Sequence, residues 1–524
     1  MRAHLLAGAM LCIVASGVTL PKLETRIKAS LQWVTCPELP ANQSTFIQCA
    51  NLSVPLDYDD KSGDDKLTLN LLKIKAAQSP SKGSVLMNPG GPGIAGRNDL
   101  YNVLSGILAN YTGGIYDVVT WDPRGTGVTL PAVCFSNDTE RSRLTNVPEA
   151  QGTDYRFDET WNGNTAIAAV CKEALKGFGS LIGSVYTARD MMEIVTALGE
   201  DGLLRYYGAS YGTALGQIFA AIFPDKVDKM VLDGVLNPHE YITGSDIQQT
   251  ASTEAVLDGF ISGCVSRPDL CPIANRPTDQ KSLQVQIYDL FDSINTAPYT
   301  IDNTTSPPTI LDSKTLHAAV IAPLYAPPLW TILGDFFDAV WTRNVTKYSL
   351  LLPTLTGALR GPPTPFADMS KVEATPAIRC SDTSLRSTSP YPEPARISRA
   401  LLAQSNRLAG SVTTAQTLLC PQWPFQAKER YQGDFNVTTK NPILFVGNIF
   451  DPITSLAAAR NGSATFKGSG ILIQDGYGHT STAQPSNCTT AAIAAYFVNG
   501  TLPVAGTVCG VDVPLFVDPT KASS

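Results

Sequence analysis

Charge is scarce in this sequence: Asp, Glu, Lys and Arg make 16% of its 524 residues, against about 25% in an ordinary soluble domain. The 39 basic and 46 acidic residues leave a net charge of −7, which excludes a surface built to hold nucleic acid or another polyanion. Scarce charge is not paired with scarce hydrophobicity. Apolar residues make 44% of the chain, too many for a disordered protein. Histidine occurs four times and no C-x-x-C pair is present, so a zinc site finds little support and no cofactor is expected. Past the first twenty residues, no apolar run reaches the roughly 20 residues that a membrane span needs. The 41 glycines and 37 prolines show no period, which excludes collagen and repeat arrays. A large, loop-rich globular protein remains.

The first residues read as a secretory leader. Arg2 is the positive end, Leu5 to Val14 the apolar stretch, and Ala15-Ser16-Gly17 a small-residue cleavage site before Val18. His4 and Cys12 would leave with it, which reduces 11 cysteines to an even ten. An even count in a secreted chain suggests five bridges, and the cysteines fall into sequential neighbours. These are Cys36 and Cys49, Cys134 and Cys171, Cys264 and Cys271, Cys380 and Cys420, and Cys488 and Cys509. Glycosylation sequons stand at Asn42, Asn51, Asn110, Asn137, Asn303, Asn344, Asn436, Asn461, Asn487 and Asn499. Spread along the whole chain, they fit an extracellular glycoprotein with those loops at the surface.

Strand patterns alternate with helical ones from Leu67 onward. Leu67 to Ile74 reads as an edge strand; Ser84 to Met87, Tyr116 to Trp121, Leu203 to Tyr207 and Lys229 to Leu232 read as buried strands. From Asn237 to about Gln432 the alternation stops in a proline-rich, mainly helical stretch. It resumes with Ile443 to Val446, a helix over Ile453 to Arg460, Ile471 to Ile473 and a last helix over Thr489 to Val498. This predicts an α/β fold with a mostly parallel sheet. The expected units are the leader over 1–17, a core over 18–236 and 433–524, and a lid inserted over 237–432.

Gly208-Ala209-Ser210-Tyr211-Gly212 lies directly after a strand and before a helix. In that context G-x-S-x-G reads as a nucleophile elbow, a sharp turn that lifts the serine hydroxyl above the sheet. Ser210 needs a base. With His4 gone, His239 enters the insertion, His317 sits on a helical stretch within it, and His479 follows the last expected strand, Ile471 to Ile473, in Asp475-Gly476-Tyr477-Gly478-His479. The carboxyl end of a strand is where α/β sheets present catalytic groups, which favours His479. Asp451 follows Ile443 to Val446 and completes the chain order Ser, Asp, His, although Asp before Pro452 also suits a helix cap. Asn88-Pro89-Gly90-Gly91-Pro92-Gly93 follows a buried strand, so the Gly91 N–H and the Tyr211 N–H are the expected oxyanion donors.

These segments, with Trp121-Asp122-Pro123-Arg124-Gly125, resemble secreted tripeptidyl aminopeptidase-like hydrolases of the proline iminopeptidase (S33) peptidase group. The likeness runs from about Cys49 to Cys509 and includes Ala377 to Asp382 and Cys420 to Pro424. It implies an α/β-hydrolase fold with a large lid, a TAP-like C-terminal region, and release of short peptides or residues from free N-termini. The sequence departs from proline iminopeptidases at Asn88, where they usually carry histidine. Serine carboxypeptidases have a similar loop but place a glutamate before the serine, where Ala209 stands here.

An exopeptidase must also meet the substrate's ammonium with a carboxylate, for which Glu240 and Asp382 are the candidates. Asp122 and Arg124 read as a charged pair closing a turn, and Tyr325, Trp330, Trp423 and Phe425 as possible pocket aromatics. A carboxylesterase or lactonase acting on small metabolites and a non-catalytic binding module on the same fold are the rival readings. The expected partner is a peptide or a small ester or amide, with neither nucleic acid nor, after leader removal, a membrane.

Overall fold

A computed structural model describes residues 31–40, 43, 46–145, 154–276, 282–304, 306–357, 363–405 and 407–516. The leader with His4 and Cys12, and the sequon at Asn42, lie outside the described residues. The strands are β1 (Val34–Thr35), β2 (Ile47–Pro55), β3 (Lys66–Ile74), β4 (Ser84–Asn88), β5 (Asp117–Trp121), β6 (Leu204–Ala209) and β7 (Val227–Asp233). There follow a separate hairpin of β8 (Tyr299–Asp302) and β9 (Thr309–Leu311), then β10 (Leu444–Phe450), β11 (Gly470–Tyr477) and β12 (Val508–Gly510). The main sheet has ten strands in the order β1-β2-β3-β5-β4-β6-β7-β10-β11-β12. Pairing is antiparallel from β1 to β5 and parallel from there to β12.

Side-chain alternation along the strands divides the core in two. Leu86, Trp121, Tyr206, Leu232 and Phe445 face one layer of helices, while Val85, Met87, Tyr207, Val231 and Leu444 face the other. Helices on both faces are what make the centres of β4 to β7 read as apolar on both sides rather than alternating. The expectation of an edge strand over Leu67 to Ile74 is corrected: β3 pairs with β2 on one side and β5 on the other. Strand β2 mixes polar Gln48, Asn51 and Ser53 among its apolar residues, the last two of them exposed, which hid it from a reading based on apolar runs.

The insertion between β7 and β10 has two kinds of packing. Phe260, Phe291, Trp330, Phe336 and Phe337 form a separate core, which Phe516 near the C-terminal end joins. The later part, including Ala377, Ile378, Cys420 and Trp423, joins the core on one face of the sheet. The single lid drawn over 237–432 therefore combines a helical cap with a core distinct from the sheet's and a segment packed on the sheet. Five disulfides join the cysteines as sequential neighbours, Cys36–Cys49, Cys134–Cys171, Cys264–Cys271, Cys380–Cys420 and Cys488–Cys509. The described sequon asparagines, Asn51, Asn110, Asn137, Asn303, Asn344, Asn436, Asn461, Asn487 and Asn499, are all exposed.

Asp122 and Arg124 do not pair with each other, which corrects the turn-closing reading. Asp122 accepts the Arg97 N–H at 3.2 Å and lies 3.8 Å from its guanidinium. Arg124, fully buried, donates to both Asp190 oxygens at 2.8 and 2.9 Å and to the carbonyls of Pro55 and Leu56. It thus ties the loop after β5 to the end of β2 and to helix Ser184–Leu198. Removing one member of a buried pair strands the other charge, at about 3–5 kcal/mol. Arg124→Ala is therefore expected to lower the stability measured by urea unfolding by that amount; a loss below about 1 kcal/mol, the value of an exposed pair, would contradict this role.

Candidate active site

Ser210 sits at the turn between β6 and helix Tyr211–Ile222 with φ 55° and ψ −122°. A non-glycine residue at positive φ is strained and must be held there by its surroundings. A side chain at Gly208 would collide with the Gly212 carbonyl, and one at Gly212 would stand 2.5 Å from the Asn88 carbonyl. The two glycines therefore let strand, turn and helix close on one another. The Ser210 N–H donates to the Asp233 carbonyl at 2.9 Å, and the Ser210 carbonyl accepts the Thr213 hydroxyl at 2.6 Å.

His479 lies just beyond β11, partly exposed, with its Nδ1 at 3.2 and 3.1 Å from the two oxygens of fully buried Asp451. Asp451 also accepts the N–H groups of Ile453, Thr454 and Thr480 at 2.9, 2.8 and 3.0 Å and the Thr454 hydroxyl at 2.7 Å. Burial alone would raise this carboxyl, but the facing His479 and the N–H donors override it and hold it below the usual carboxylate range. Asp451 is not the cap suggested by Pro452. The helix begins later, at Leu456, and Ser455 caps it. The carboxylate instead knots its own loop and faces the imidazole. His479 lies across the turn after β7 from the elbow: a side chain at Gly234 would stand 3.4 Å from its Cε1.

The N-P-G-G-P-G loop reaches the same place from β4. A side chain at Gly90 would stand 2.7 Å from Ser210 Cβ and 3.1 Å from the Tyr211 nitrogen, so the loop backbone lies against the elbow. The Gly90 N–H is taken by the Asn88 side-chain oxygen at 3.1 Å. The next N–H, on Gly91, belongs to an exposed residue. Asn88 is thus given an internal task in fixing the loop. The arrangement holds a hydroxyl, an imidazole–carboxylate pair and backbone N–H groups, the parts that acyl transfer requires.

A family model for the alpha/beta hydrolase fold matches residues 83–276, and one described as TAP-like protein matches 406–509. The chain thus has an α/β-hydrolase fold with a TAP-like segment near its C-terminal end, and it is similar to the tripeptidyl aminopeptidase-like hydrolases. It is a serine hydrolase. Serine protease Hip1 of Mycobacterium tuberculosis is 26% identical over 515 residues, 95% of this chain and 94% of the relative. Tripeptidyl aminopeptidase of Streptomyces lividans is 33% identical over 214 residues, 40% of this chain and 39% of the relative. Carboxylesterase B of M. tuberculosis is 27% identical over 498 residues, 91% of this chain and 89% of the relative.

The other candidates of this hydrolase fare unevenly. Asp382 is corrected as an ammonium site: it is buried, and its oxygens accept the Ser184 N–H at 2.8 Å, the Ser184 hydroxyl at 2.5 Å and the Tyr241 hydroxyl at 2.8 Å. Since Ser184 Oγ also lies 2.7 Å from the Tyr211 hydroxyl, Asp382 braces the residue after the nucleophile. Glu240 is partly buried and accepts the Gln248 N–H at 2.8 Å. Trp330 belongs to the cap core and Trp423 to the sheet core, and Phe425 packs there too. Of the four aromatics, Tyr325 reaches the site: its ring meets His479 edge-on at 4.9 Å, and its carbonyl accepts the His479 N–H at 2.9 Å. His239 is exposed beside Phe435, and His317 is buried against Phe291 in the cap. Among the described residues, no three His, Cys, Asp or Glu side chains converge where a metal ion could sit.

Sequence reasoning missed the residues that hold the histidine loop. Asn448 donates to the carbonyls of Gly478 and Thr480 at 2.9 and 2.7 Å, from either side of His479. Thr454 bridges Asp451 and His479 Nδ1, the latter at 3.2 Å. Asn448 stands three residues before Asp451, but nothing local to it signalled a partner 30 residues away. His479→Ala is expected to lower kcat by on the order of 10⁴-fold or more, while His317→Ala stays within a few-fold. Steady-state rates of the two folded variants check this, and equal losses would contradict the assignment.

Proposed function

We propose that the chain is a secreted, glycosylated serine aminopeptidase that releases short peptides or residues from free N-termini. Ser210 Oγ attacks the scissile carbonyl while His479 takes its proton, and Asp451 keeps the imidazole oriented and stabilises its cation. The N–H groups of Gly91 and Tyr211 receive the developing oxyanion. His479 then protonates the leaving amine, and water activated by the same imidazole hydrolyses the acyl-enzyme. The observation that carries this reading is the His479 Nδ1 contact to both oxygens of Asp451, on a loop beside the strained serine turn. The aminopeptidase choice draws on the family resemblance and on the relative named tripeptidyl aminopeptidase. Secretion draws on the leader pattern, five disulfides and exposed sequons.

Ester hydrolysis is the second reading, because a relative named Carboxylesterase B aligns over 91% of this chain. The same nucleophile serves both reactions, and the difference lies in whether the site meets an ammonium. With Asp382 committed to internal donors, Glu240 is the proposed partner for that charge. The test compares a tripeptidyl amide with its N-acetylated twin and with a short-chain ester. A lost ion contact costs about 2 kcal/mol or more, so kcat/KM should fall roughly 30-fold or more on acetylation, and Glu240→Gln should narrow that gap. Equal cleavage of both amides, with faster ester turnover, would establish the esterase reading instead.

A further inference from the structure

We infer that Asp233 is a positioning residue that holds the nucleophile turn and the histidine loop in one frame. This rests on the reading of Ser210 and His479 as the reacting pair. Asp233 ends β7, fully buried, in register with Ala209 of β6 on one side and Val446 of β10 on the other. It therefore stands between the strand that delivers Ser210 and the strand that delivers Asp451. Its main chain grips the first of these, because its carbonyl accepts the Ser210 N–H at 2.9 Å.

Its side chain grips the histidine loop. One carboxylate oxygen accepts the Ser481 N–H at 2.9 Å, and the other accepts the Ser481 hydroxyl at 2.5 Å and the Tyr207 hydroxyl at 2.8 Å. Ser481 Oγ also lies 2.9 Å from the Tyr111 hydroxyl. Because Ser481 donates to the carboxylate, Tyr111 is the donor in that contact. The two N–H groups after His479 thus go to different carboxylates, Thr480 to Asp451 and Ser481 to Asp233. The loop is therefore held by two carboxylates at consecutive residues directly after His479.

Among the described ion pairs, Asp233 has no Lys or Arg partner, and neutral donors alone surround it. A buried carboxylate without a cation is costly. A merely structural strand end would be served by an apolar residue at lower cost. What the carboxylate adds is two directional acceptors on one rigid side chain, aimed at a loop 248 residues away.

The test measures kcat and KM on wild type, Asp233→Asn, Ser481→Ala and Tyr207→Phe, each verified as folded by its near-UV circular dichroism. Asp233→Asn keeps the size and one acceptor, and Ser481→Ala keeps its N–H to Asp233, so the fold should survive both. A misplacement near 1 Å costs up to roughly 100-fold in rate. Asp233→Asn is expected to lose roughly 10- to 100-fold in kcat with KM within about twofold, Ser481→Ala and Tyr207→Phe less. Folded variants that keep the wild-type kcat and lose only thermal stability would overturn the proposal. Turnover that persists in Ser210→Ala would instead remove the reading on which it rests.

Discussion

The turn at Ser210 is the constraint on which the site depends. Its positive φ is affordable only because β6, the turn and helix Tyr211–Ile222 approach more closely than side chains at Gly208 and Gly212 would permit. That approach brings the Asn88 loop against the elbow and sets the Tyr211 N–H beside it. The strain is opposed locally by the Ser210 N–H donating to the Asp233 carbonyl and by the Thr213 hydroxyl donating to the Ser210 carbonyl. It is opposed further out by the buried chain from Tyr211 through Ser184 to Asp382, next to the Cys380–Cys420 bridge. A serine fixed in this way loses little entropy on reaching its reactive geometry.

Much of this was legible in the sequence because the signals are local. An apolar run ending in glycines marks a strand feeding a tight turn, which located β4, β6 and the elbow. Few histidines made the base a matter of elimination, and a strand-end position pointed to His479. Long-range pairing was not legible. Asp122 and Arg124 are two residues apart, and their proximity suggested a pair, yet each found a distant partner in Arg97 and Asp190. Asp382 stands beside a conspicuous cysteine and an arginine, but its oxygens turn inward to Ser184 and Tyr241. Strand β2 was missed because polar Gln48, Asn51 and Ser53 interrupt its apolar residues.

The cap meets the site where the two cores join. Tyr325 ends a cap helix and meets His479 through both ring and carbonyl. Phe450 and Tyr477, at the ends of β10 and β11, stack at 4.3 Å and pack against the cap core. The insertion thus packs on the sheet ends that carry Asp451 and His479, and the burial of Asp451 strengthens its contact with the partly exposed imidazole.

The most direct measurement of the central claim is covalent labelling with a serine-directed phosphonate, followed by peptide mass mapping. The account predicts a single adduct, on Ser210, formed by the wild-type protein and not by His479→Ala under the same conditions. An adduct on another residue, or labelling of Ser210 at an undiminished rate without His479, would contradict it.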